Sequence, residues 1–129
     1  MRTDKEVFAA VLAFISVPEQ LARGPLAIFE GGWPKNAAGE LHYLREMEDL
    51  GFRPCAMCTA GAVSYFSHTE YTASVDPKAS PVYNALELEA MQLGFGCIEA
   101  ISDEHPHEDL VRFVKEVGVK YGWHDEVQP

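Results

Sequence analysis

The chain has 129 residues with 47% apolar and 23% charged side chains, a length and balance that fit a single globular domain. Ten Lys and Arg against 20 Asp and Glu leave a formal charge of −10, which argues against a direct grip on nucleic-acid phosphate or on an anionic membrane surface. Three cysteines cannot all pair within one chain, so a disulfide framework is not expected.

The first predicted element is a helix over 4–16. Thr3 and Glu6 have capping-box spacing, and Val7, Phe8, Val11, Leu12, Phe14 and Ile15 follow as one wide apolar stripe. The apolar run 7–17 is far short of the roughly 20 residues a spanning helix needs. Asp4 and Glu6 ahead of it, and Pro18 and Glu19 behind it, do not fit a secretory signal. The expected location is therefore the cytoplasm, of a bacterium or of a phage-infected host cell.

Pro18 predicts a short second helix over 18–23, closed by Gly24 and Pro25. From 25 to 54 the periodicity is poor, and Gly31, Gly32, Pro34 and Gly39 break the chain around Trp33. This portion is expected to be irregular or a small β-hairpin, with a short strand over 26–29. Leu41, Leu44, Met47 and Leu50 recur at intervals of three and predict an amphipathic helix over 40–50.

Pro54 is placed at the first turn of a helix that would carry Cys55, Cys58, Ala62, Tyr65 and Phe66 on one face. Gly61 within it costs about 1 kcal/mol of helix propensity relative to Ala, which implies that another backbone packs closely there. A polar loop is expected over 68–79. Ser80 and Pro81 form an N-cap and first-turn pair, and Val82, Leu86, Ala90 and Leu93 continue a helix over 81–93. The apolar segment 96–101 fits a strand or a helical turn. The last helix opens at His105 and Pro106, shows Leu110, Val114, Val117 and Tyr121 on one side, and stops at Gly122, with 125–129 fraying. The expected fold is one mainly α domain of about five helices, with its core at Phe8, Val11, Leu12, Ile15, Ala62, Tyr65, Leu86, Leu93, Val114 and Val117.

Several residues carry chemical possibilities. Cys55 and Cys58 would lie side by side at a helix start, where the dipole lowers thiol pKa, and Cys97 adds a third sulfur for a metal. No strand–CxxC–helix unit and no second CxxC supports a redox or zinc role, so small thiols in the core are the simpler reading. Residues 103–109 gather two imidazoles and four carboxylates, a second conceivable metal cluster, although acidic groups in a first helical turn already answer the macrodipole. A cysteine hydrolase or transferase would centre on Cys58, with His105 or His107 as base and Asp109 orienting the ring. No phosphate loop, nucleophile elbow or HExxH motif adds to that possibility. Trp33, with Lys35 beside it, is either an anchor for a protein partner or a lid folded over the core. No cofactor is expected.

The sequence of features is Gly32-Trp33-Pro34-Lys35, Ala37-Ala38-Gly39-Glu40, Cys58-Thr59-Ala60-Gly61-Ala62-Val63, a helix ending in Leu93-Gly94, and Ile101-Ser102-Asp103 before Glu108-Asp109-Leu110-Val111. It resembles a domain-of-unknown-function family of small actinobacterial and bacteriophage proteins, in which a Gly-Trp turn leads to a Cys-x-x-Gly-Ala-Leu helix. Cys58, Gly61, Ala62 and Asp103 match that pattern. Val63 replaces its Leu, 41–52 is an insertion, and Cys55, Cys97, His105 and His107 have no counterpart in it. The resemblance implies a small, mainly helical cytosolic domain with no established activity. Together with the charge, it suggests a small acidic accessory protein, phage-encoded or phage-related, that binds an unknown protein through the Trp33 and Lys35 loop.

Overall fold

The computed structural model describes residues 2–69 and 79–125, and in it α1 (Asp4–Ile15) begins at the predicted capping box. Thr3 Oγ1 accepts from Glu6 N at 3.2 Å while Glu6 Oε1 accepts from Thr3 N at 2.9 Å. Each side chain thereby satisfies a backbone donor that the first turn leaves open. The inner face of α1 buries Val7, Phe8, Val11, Leu12 and Ile15. The second helix expected over 18–23 shrinks to one 3₁₀ turn, Pro18–Gln20.

The next elements are β1 (Ala27–Ile28), α2 (Leu44–Met47) and β2 (Ala56–Met57). They are followed by α3 (Thr59–Ser67), α4 (Pro81–Gln92), α5 (Ile98–Glu104) and α6 (His107–Tyr121). The fold is mainly α, with six helices among the described residues and one small antiparallel strand pair. Ala27 lies opposite Met57 and Ile28 opposite Ala56, and Leu21 bridges to Met57 in parallel from the other side. α1 packs on α3, α4 and α6, α2 packs on α3, and α5 fills the angle between α3, α4 and α6. None of these helices is long and apolar enough to cross a membrane.

Nine of the ten expected core residues are buried. Leu93 is not: it caps α4, one residue past its last turn, and is 63% exposed. The strand partner of β1 lies at 56–57, just outside the 25–54 portion expected to hold the hairpin. The predicted helix over 40–50 is only one turn long. Leu44 and Met47 are buried, whereas Leu41 and Leu50 point to solvent, because Tyr43 is extended and the chain leaves the helical path at Gly51. The segment 96–101 forms the entry and first turn of α5. Most of the predicted 68–79 loop and the 126–129 tail lie outside the described residues.

Two glycines mark close approaches. A Cβ on Gly61 would sit 1.9 Å from the carbonyl oxygen of Leu26, so α3 lies directly against the chain entering β1. That is the backbone contact the sequence predicts for this glycine. A Cβ on Gly118 would sit 2.3 Å from the Phe8 ring, which fixes how near α6 comes to α1.

Candidate interaction surface

The region between β1 and α2 is built on local hydrogen bonds. Asn36 Oδ1 accepts from Ala38 N at 2.9 Å and from Glu40 N at 3.0 Å, while Asn36 N donates to Glu40 O at 2.8 Å. Such Asn-centred bonding closes a tight turn, and Gly39 supplies the left-handed residue it needs at φ 81°. Lys35 and Leu41 then pair across the turn as an isolated antiparallel bridge.

Trp33 secures the base of this loop. Its indole Nε1 donates to His42 O at 2.8 Å, and its ring meets Phe29 edge-on at 5.2 Å. The side chain is half-buried against the core and forms a wall, not a projecting anchor. What projects is Leu41, 59% exposed, and Tyr43, 60% exposed, with the Arg45 guanidinium 4.4 Å from the Tyr43 ring centroid. Between them lies an open, mostly apolar pocket of about 350 Å³, floored by Leu26 and Leu44 and reaching Ser64 of α3. Lys35 is exposed on the same loop. Its neighbour α2 is held by Glu46, whose Oε1 contacts His42 Nδ1 at 3.0 Å and accepts from Tyr43 N at 3.1 Å. Those two bonds, the imidazole's first, hold the Glu46 carboxyl below its ordinary range.

The thiols are apart. β2 occupies the place of the predicted first helical turn, so Cys55 is exposed in extended chain and Cys58 is the N-cap of α3. The expectation that Cys55 and Cys58 share a helical face is therefore corrected. Cys55 N donates to Ile28 O at 2.7 Å, and this sheet bond draws residue 55 out of the helix. Cys58 is 3% exposed, and its Sγ accepts from Gly61 N at 3.3 Å. Burial pushes the Cys58 thiol up to about 11, with the Gly61 N–H opposing and the charges of Asp103 and Glu99 adding to the rise. At neutral pH the sulfur is a protonated thiol serving as a cap. Cys97, half-buried before α5, is also raised, chiefly by burial.

Of the histidines and acids of 103–109, His107 and Asp103 join the α5–α6 elbow to the end of α1 and the chain after it. His107 Nε2 donates to Ile15 O at 2.7 Å, and the His105 ring meets Phe95 edge-on at 4.7 Å. Arg23 donates to Ser102 O at 3.1 Å and His105 O at 2.8 Å, while Asp103 Oδ1 accepts from Gly24 N at 2.9 Å. Asp109 pairs loosely with Arg112 at 3.7 Å on α6. His107, Asp103 and Asp109 thus contact Ile15, Gly24 and Arg112, and the His105 ring lies on Phe95, an arrangement that does not assemble a Cys–His–Asp triad around Cys58. Among the described residues no group of three or more His, Cys, Asp or Glu side chains is placed to hold a metal ion.

A second cluster has no signature in the sequence. Arg2 makes a two-pronged pair with Glu48, one prong at 2.7 Å, and also donates to Phe66 O at 2.8 Å. His68 Nε2 reaches the same Glu48 at 2.9 Å. Residues 2, 48 and 68 have no periodic relation, and only the tertiary fold brings them together. In comparisons with known proteins, no family model, no curated sequence and no solved structure matches this chain.

Proposed function

We propose that the chain is a small acidic accessory protein that binds another protein, receiving an apolar side chain of that partner in the pocket walled by Trp33 and flanked by Leu41 and Tyr43. The observation that carries this reading is the exposure of two large apolar side chains on a loop held in shape by its own hydrogen bonds. Preformed apolar pockets with aromatic and arginine neighbours are the composition of binding hot spots, and a loop already ordered loses little entropy on docking. Lys35, exposed and paired with Leu41 across the turn, would add a charged contact beside the pocket. The resemblance to actinobacterial and phage proteins supports a phage-related origin and a partner in the same cell.

The test is affinity capture with the wild-type chain, with Leu41→Asp/Tyr43→Asp, and with Leu88→Asp/Met91→Asp on the exposed side of α4, followed by titration calorimetry of any protein captured. Loss of about 2 kcal/mol of binding, about 30-fold in Kd, is expected for the first variant alone. Equal binding by all three chains, or no protein held above background by the wild type, overturns the reading.

A further inference from the structure

We draw no further inference here: the strongest candidate, the exposed apolar strip of Leu88, Met91 and Leu93 along the outer side and C-terminal end of α4, carries nothing because nothing in the structure shows what covers it.

Discussion

At the scale of single residues, position 58 decides between chemistry and packing. A nucleophilic cysteine needs a thiolate, and a buried sulfur whose contact is a backbone N–H at 3.3 Å has neither solvent access nor a base. Under native conditions at neutral pH, iodoacetamide is expected to modify exposed Cys55 and to leave Cys58 untouched until the fold is melted. Peptide mapping by mass spectrometry reads this directly, and rapid native labelling of Cys58 would contradict the burial. Position 61 is equally constrained. A methyl group there meets backbone, which cannot rotate away as a side chain can, so Gly61→Ala is expected to cost about 3 kcal/mol in denaturant unfolding. A cost below the roughly 1 kcal/mol typical of point substitutions would show that α3 can shift away from Leu26.

The tight fit at Gly61 is legible in the sequence, since a glycine set among alanines weakens a helix and gains its place only where a neighbouring backbone leaves no room for a methyl group. Gly118 has no comparable signal, because its neighbour Phe8 is 110 positions away in the chain. Cys58 is a mixed case. Its spacing from Ala62 and Tyr65 is helical, but Cys55 departs toward β2 because its N–H is taken by the carbonyl of Ile28, a partner that spacing cannot reveal.

At the scale of elements, two carboxylates at element junctions respond to pH in opposite senses. The Arg2 guanidinium, and then His68, hold the Glu48 carboxyl below its usual range, against the opposing effect of its partial burial. A carboxylate lowered in the fold contributes stability above the unfolded value, about 4.3, and loses it as pH falls through the lower folded value. Glu48→Gln is accordingly expected to lose about 1–2 kcal/mol at pH 7 and to converge with the wild type once the pH has fallen through the lowered folded value. Denaturant titrations across that range measure it, and a difference that persists in acid would assign the effect to packing.

Glu87 is the contrary case. It is buried where α4 meets α5, with Oε2 accepting from Ile98 N at 3.2 Å. Burial raises its carboxyl, the Ile98 N–H opposes, Glu99 adds to the rise, and Tyr83 opposes. Between the unfolded value of about 4.3 and the raised folded value, the native state holds the extra proton, so stability falls as pH rises. Glu87→Gln keeps an oxygen for Ile98 and removes the charge. It is expected to raise Tm at about pH 7–8 and to lose that advantage near pH 4. A lower Tm at neutral pH would mean that the ionised carboxylate is better satisfied than these contacts allow.

At the scale of the whole molecule, the charge of −10 and the apolar loop surface are separate properties. The charge belongs to the chain as a whole, whereas the apolar loop surface rests on the exposure of Leu41 and Tyr43. The contact arrangement explains why so many polar residues with catalytic potential serve the fold. Arg23, Asp103 and His107 tie the α5–α6 elbow to the end of α1 and the segment after it.

The helical class, the ends of α1, α4 and α6, and nearly all of the inner faces are written in the local order of residues. Caps, glycine stops and apolar periodicity act within a turn or two, so the local chain contains the whole cause. The parting of Cys55 from Cys58, the exposure of Leu41 and Leu50, and the place of Trp33 as a wall beside exposed Leu41 and Tyr43 arise from long-range packing. Each of those outcomes depends on a backbone or side-chain group brought near by folding, and distance along the chain carries no information about it.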